Sequence, residues 1–103
     1  SLSRLKDFPL DAIKIDGSFI YDMTDCTENK KLTESIIEIG KTLSLTVIAE
    51  GVETVEQLNY LRSISCDQFQ GFYANEPLPA TEFAAMIQAS TIMNNPAARS
   101  FKV

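Results

Sequence analysis

The stretch from Thr46 to Thr54, TVIAEGVET, constrains the fold of this chain more than any other. Its apolar, β-branched beginning is typical of a short buried strand. The strand ends on Glu50, and Thr54 then forms an S/T-x-x-Q capping box with Gln57, which predicts that a helix begins directly after the turn. Because parallel α/β folds bind ligands where their strands end, we expect the chemistry of this protein at Glu50.

The remaining segments repeat this alternation of strand and helix. Hydrophobic periodicity predicts three strands, at residues 12–16, 46–50 and 68–71. A helix is predicted after each strand, at residues 28–43, at residues 55–64 and in a last segment capped by Thr81. Three βα units in succession imply that the strands pair in parallel. Between these elements we expect a polar loop with one short turn at residues 17–27 and an extended loop at Pro77 and Pro79.

Apolar side chains recur at helical spacing and predict which side of each helix is buried. The predicted inward residues are Leu32, Ile36, Ile39 and Leu43, then Val55, Leu58, Leu61 and Ile64, and finally Phe83, Met86 and Ile87. Gly40 is expected to weaken the first of these helices by up to about 1 kcal/mol relative to alanine. We expect residues 1–6 to be the end of a helix, residues 1–90 to form one domain and residues 91–103 to be a loose tail.

Length and charge exclude several classes of protein. The 103 residues suffice for one domain, and a net charge of −5 without histidine argues against binding long nucleic acids. A small phosphorylated ligand is still compatible with one or two local cations. No apolar run approaches the roughly 18 residues of a membrane span, and no secretory signal is visible. Cys26 and Cys66 could form a disulfide, but two reduced thiols in a cytoplasmic protein are the better interpretation.

Three stretches resemble motifs of the EAL domain of cyclic di-GMP phosphodiesterases. They are LDAIKID at residues 10–16, IAEGVET at residues 48–54 and CDQFQGF at residues 66–72, with Pro77-Leu78-Pro79 following at a familiar distance. The resemblance runs from Ser1 to about Ile87. It implies a variant TIM barrel of which this chain holds only the last three βα units, so that the barrel is incomplete here. The Glu-Ala-Leu signature and most metal ligands would lie outside this sequence.

The resemblance also implies the roles of individual residues. In a complete site of this family, two Mg²⁺ or Mn²⁺ ions activate a water that attacks the phosphodiester of cyclic di-GMP and yields pGpG. Glu50 matches a carboxylate at the metal and the attacking water, and a hard oxygen ligand suits Mg²⁺. Lys14 matches a cation beside the scissile phosphate, and Gln70 matches an amide that hydrogen-bonds near the attacking water.

Three further residues match positions that support the substrate or a neighbouring loop: Asp16, Glu53 and Pro77. Asp16 follows Lys14 by two residues and is expected on the same face of its strand, where it could pair with the lysine. Glu53 resembles an acid that steadies an active-site loop. A purely structural interpretation stays open, because Glu50 and Glu53 would also suit the N-terminus of a helix as plain surface acids.

Three functions remain compatible with these observations. The chain is the carboxyl-terminal part of a phosphodiesterase in bacterial second-messenger signalling, or a degenerate EAL module that binds cyclic di-GMP or a protein without catalysis, or a free-standing α/β interaction domain. We expect the 103-residue chain to be inactive by itself because it lacks most metal ligands. The two open edges of a three-stranded sheet predict association with itself or with the missing amino-terminal half.

Overall fold

The computed structural model describes residues 11–93 of the chain. These residues form four strands, β1 (Ala12–Ile15), β2 (Thr46–Val52), β3 (Gln68–Gly71) and β4 (Ala74–Leu78). They also form four helices, α1 (Gly17–Tyr21), α2 (Thr27–Thr42), α3 (Val55–Ser63) and α4 (Ala80–Met93). The predicted helix end at residues 1–6 and residues 94–103 of the predicted tail lie outside the described residues.

The predicted parallel sheet is confirmed. The strand order is β1-β2-β3-β4, and β2 pairs in parallel with both β1 and β3. Ile13 lies opposite Val47, and Ala49 lies opposite Phe69. Because all three strands run the same way, their carboxyl ends reach a common edge of the sheet. The four strands do not close into a barrel. The two outer strands of the sheet are β1 and β4.

The fourth strand corrects the prediction of an extended loop around Pro77. Residues 74–78 pair with β3 in the antiparallel direction, with Leu78 opposite Phe69 and Ala74 opposite Gly71. Proline lacks a backbone N–H and is therefore confined to strands at the edge of a sheet or to their ends. The edge position of β4 satisfies this restriction, which explains why a segment with Pro77 can still be a strand.

Residues 17–21 are helical rather than part of a loop. Asp16 caps this short helix, α1, because its carboxylate accepts a hydrogen bond from the backbone N–H of Ser18. Ile20 and Met23 at its far end are completely buried. A five-residue helix has no stability of its own in water, so these buried contacts are what keep α1 in place.

The core lies between one face of the sheet and the helices. Its buried residues include Ile15, Val47, Ala49, Leu58, Leu61, Phe69, Phe83 and Ile87. The prediction that Val55 and Met86 point inward is wrong, since their side chains are 50% and 44% exposed. Among residues 11–93, no helix has the length and apolar character that crossing a bilayer requires.

Helix α2 buries a different side from the one that its apolar pattern predicts. Its fully buried positions are Thr33, Ile37 and Gly40, whereas Leu32 is 44% exposed. The strand β2 passes so close to α2 that a Cβ on Gly40 would collide with the side chain of Val47. The predicted stripe therefore lies to the side of this contact, where Ile36 and Ile39 line an open groove of about 320 Å³ together with Ile13 of β1 and Phe19 of α1.

Candidate functional site

Lys14 and Glu50 meet at the carboxyl edge of the sheet. The side chains of Ile15 and Ala49 are in the core, so the alternation along a strand directs Lys14 and Glu50 to the opposite face. There the Nζ atom of Lys14 lies 3.8 Å from Oε1 of Glu50, with the two side chains 53% and 35% exposed. The sequence suggested Asp16 as a possible partner of Lys14, but within residues 11–93 the ion pair of Lys14 is with Glu50.

Gln70 lies on the same face of the neighbouring strand, because Phe69 before it is in the core. Its Nε2 atom donates a hydrogen bond of 2.7 Å to the backbone carbonyl of Asn75 in β4. Its Oε1 atom is buried and has no hydrogen-bond partner within residues 11–93. A buried acceptor without a partner costs free energy, so this oxygen is ready to accept a hydrogen bond from a water or a ligand.

Asp16 caps the N-terminus of α1. Its carboxylate accepts hydrogen bonds from the backbone N–H of Ser18 at 3.0 Å and from the Ser18 hydroxyl at 2.5 Å. The hydroxyl, followed by the N–H, lowers the pKa of the Asp16 carboxyl because both hydrogen bonds favour its charged form. The structure thus gives Asp16 a capping role at the start of α1, directly after the strand that carries Lys14.

The two other supporting residues are held by neighbouring elements. Glu53 is exposed, and its backbone N–H donates a hydrogen bond of 2.8 Å to Oε1 of Gln57. Pro77 is half-buried in β4. Within the described residues, neither of them forms a hydrogen bond or an ion pair with Lys14 or Glu50.

An irregularity of β2 at Gly51 places the beginning of α1 against Glu50. Gly51 has a φ of 73°, in the left-handed region that favours glycine. A Cβ at this position would also lie only 3.0 Å from the Cα of Gly17. The chain that leaves β1 therefore packs directly on the last residues of β2, which brings the two halves of the site together.

Gln57 is a residue of this region whose full role the sequence did not predict. The capping box with Thr54 is confirmed, since Thr54 Oγ1 accepts from the Gln57 N–H and Gln57 Oε1 accepts from the Thr54 N–H. The side-chain amide also donates to the carbonyls of Ile20 and Tyr21, at 3.2 and 3.3 Å. These partners lie 36 and 37 residues away, so no local pattern could have shown them.

Glu50 fits a divalent metal ion as one hard oxygen ligand, because its carboxylate is partly exposed at the edge where parallel strands end. Residues 11–93 contain no group of three or more His, Cys, Asp or Glu side chains placed to hold a metal. Within residues 11–93, this edge of the sheet thus brings together the carboxylate of Glu50, the ammonium group of Lys14 and the amide of Gln70.

Comparisons with known proteins find similarity to one family. The model of a family described as the EAL domain matches residues 1–77. The cyclic di-GMP phosphodiesterase NbdA of Pseudomonas aeruginosa is 38% identical over 100 residues, which cover 97% of this chain and 13% of NbdA. The chain therefore spans only a small part of the length of this curated relative.

Two solved structures show the same arrangement of elements. The PaMucR phosphodiesterase in complex with c-di-GMP aligns with a TM-score of 0.69 and 36% identity, over 81% of this chain and 34% of that one. A manganese and cyclic di-GMP complex of Klebsiella pneumoniae BlrP1 aligns with a TM-score of 0.64 and 34% identity, over 78% of this chain and 20% of that one.

Proposed function

Because the chain belongs to the EAL domain family, we propose that it is the carboxyl-terminal part of a metal-dependent phosphodiesterase that hydrolyses cyclic di-GMP to pGpG. The observation that carries this proposal is the meeting of Lys14 and Glu50, 3.8 Å apart, at the carboxyl edge of parallel strands. The phosphodiesterase name of NbdA and the c-di-GMP complex of PaMucR support the choice of substrate.

In this proposal Glu50 would hold a Mg²⁺ or Mn²⁺ ion, and the manganese complex of BlrP1 supports this choice of metal. Such a metal supplies a water of lowered pKa and stabilises the charge of the phosphoryl group. Lys14, on the same face, would offset the negative charge that builds on the phosphoryl oxygens. The free Oε1 of Gln70 would accept a hydrogen bond from the attacking water and so orient it.

We propose further that the 103-residue chain has no turnover by itself. Glu50 alone cannot hold two metal ions, and residues 11–93 offer no other cluster of ligands. The open edge of β1 and the apolar groove beside it, lined by Ile13, Phe19, Ile36 and Ile39, would contact the preceding part of a barrel. The expected cytoplasmic location belongs to the same proposal, and the free thiols of Cys26 and Cys66 are consistent with it.

The test is the kinetics of a complete EAL domain that contains this chain together with an amino-terminal half. Glu50→Gln keeps the shape of the side chain and removes the charge that a metal needs. We expect kcat to fall roughly 100-fold or more, with a similar loss for Lys14→Ala, as when a group that stabilises the transition state is removed. Glu56→Gln, an exposed acid in the first turn of α3, is the matched control and should keep the wild-type rate.

The same assay separates the alternatives. Wild-type kcat for Glu50→Gln at saturating metal and cyclic di-GMP would remove Glu50 from the site. Tight binding of cyclic di-GMP without turnover by the unaltered domain would instead identify a non-catalytic binding module. Metal-dependent turnover by the purified 103-residue chain, verified by its mass, would contradict the proposal that it is inactive alone.

A further inference from the structure

The side-chain amide of Gln57 is a buried link between two segments that are distant in sequence. Gln57 is only 6% exposed, and all of its side-chain polar atoms have partners. Oε1 accepts from the backbone N–H groups of Glu53 at 2.8 Å and Thr54 at 3.1 Å. Nε2 donates to the carbonyls of Ile20 and Tyr21 at the end of α1. One amide therefore holds both the segment that follows β2 and the helix that follows β1.

The helix α1 is attached at both of its ends, to β2 and to α3. At its beginning, Gly17 lies against the backbone of Glu50 and Gly51. At its end, the carbonyls of Ile20 and Tyr21 depend on the Gln57 amide. Because α1 is too short to be stable by itself, its position follows from these attachments and from the buried side chain of Ile20.

We propose that Gln57 is a positioning residue for the site formed by Lys14 and Glu50. Its amide fixes α1 against the segment that directly follows β2, and α1 in turn fixes the carboxyl end of β1 and hence the place of Lys14 relative to Glu50. This inference rests on the proposed phosphodiesterase function, but the structural link that it requires can be tested separately. Gln57 itself touches neither metal nor substrate in this proposal.

Two substitutions separate the two halves of the link. Gln57→Glu keeps an oxygen for the N–H groups of Glu53 and Thr54, since glutamate serves equally in a capping box. It removes the donor for the carbonyls of Ile20 and Tyr21, because a carboxylate only accepts hydrogen bonds. Thr54→Ala is the matched control, because it removes the hydroxyl that accepts from the Gln57 N–H and leaves the link to α1 in place.

Amide hydrogen exchange of the 103-residue chain measures the structural link. In Gln57→Glu we expect the protection of the α1 amides to fall at least tenfold relative to the β2 amides, whereas Thr54→Ala should weaken the first turn of α3 and leave α1 unchanged. Lowering the pH through the pKa of the introduced carboxyl group restores a donor and should restore the protection of α1. Equal losses in α1 and β2, or the same pattern in both variants, would overturn the proposal.

Kinetics of the complete domain measure the consequence for the site. Displacing a catalytic group by about 1 Å can cost roughly 100-fold in rate, so kcat of Gln57→Glu should fall about tenfold or more while KM stays nearly constant. Thr54→Ala should keep its kcat. Unchanged kcat for Gln57→Glu in an active domain would overturn the positioning role. An unaltered domain that does not hydrolyse cyclic di-GMP would refute the proposed function instead, and the exchange pattern alone would then support or overturn the role of Gln57.

Discussion

Asp67 joins three parts of the chain through one carboxylate. Its Oδ2 atom accepts a hydrogen bond of 2.8 Å from the backbone N–H of Val47, and its Oδ1 atom lies 2.5 Å from Nζ of Lys41. Burial opposes the charged form, but the Lys41 hydrogen bond and the Val47 N–H outweigh it and lower the pKa of Asp67. The end of α2, the start of β2 and the start of β3 thereby share one anchor.

This lowered pKa predicts an acid-sensitive contribution to stability. A carboxyl group whose pKa is lower in the folded chain stabilises the fold above its unfolded pKa, and this contribution is lost as the pH falls through the folded pKa. We therefore expect Asp67→Asn to cost about 1 kcal/mol at pH 7 and to flatten the loss of stability below about pH 4. Urea unfolding at several pH values measures both effects.

The control for this prediction is Asp25→Asn. Asp25 is exposed in the loop between α1 and α2, and its side chain forms no hydrogen bond or ion pair within residues 11–93. It should change stability by less than about 0.5 kcal/mol at any pH. If the free energy of unfolding falls as steeply at acid pH in Asp67→Asn as in the wild type, the Lys41 and Val47 contacts contribute nothing to its pH dependence.

In α2, packing against β2 reverses the preference of an isolated helix for alanine over glycine at position 40. Helix propensity alone predicts that Gly40→Ala stabilises α2 by about 1 kcal/mol. In the fold, Gly40 faces β2, and the added methyl group would collide with the side chain of Val47. Overpacking of this kind typically costs 1–3 kcal/mol, so we expect Gly40→Ala to lower the free energy of unfolding by about 1 kcal/mol or more.

Thermal unfolding of Gly40→Ala beside Ser35→Ala provides the measurement. Ser35 is exposed on the same helix, where its hydroxyl bonds only to the carbonyl of Lys31. Alanine at this position should therefore be neutral or slightly stabilising. A higher melting temperature for Gly40→Ala would mean that α2 can move away from β2 without cost, contrary to the close packing of these two elements.

Residues 11–93 leave apolar surface uncovered among themselves. Within this part of the chain the outer edge of β1 is unpaired beside the groove lined by Ile13, Phe19, Ile36 and Ile39, and Leu32 is exposed on α2. Exposed strand edges and apolar patches favour association. We expect the 103-residue chain to form dimers or larger species by light scattering, and we expect Ile36→Glu to reduce their size.

A charge change on the polar side of α2 provides the control. Lys31→Glu makes the net charge more negative than Ile36→Glu does, because it removes a positive charge and adds a negative one, but it leaves the groove intact. It should not reduce association as Ile36→Glu does. A monodisperse monomer with a cooperative thermal transition would contradict the prediction and would show that the groove and the edge of β1 tolerate water.

The amino-acid sequence by itself determined the features that depend on neighbours along the chain. The strands β1, β2 and β3, the helices that follow them and the capping box of Thr54 are set by periodicity and by residues within four positions of each other. The parallel pairing also followed from the sequence, because successive βα units allow little else. The motif resemblance located Lys14 and Glu50, and the structure places them 3.8 Å apart.

Only the tertiary structure decided which surfaces and side chains meet. The apolar stripe of α2 could not show its buried side, because the contact with Val47 selects Gly40 rather than the largest apolar residues. The strand β4 forms only because β3 offers an edge, and its own sequence with Pro77 suggests none. The two carbonyls to which the Gln57 side chain donates lie more than 30 residues away. Local sequence specifies the conformation of each segment, but the free energy of burying one segment against another decides how the segments are arranged.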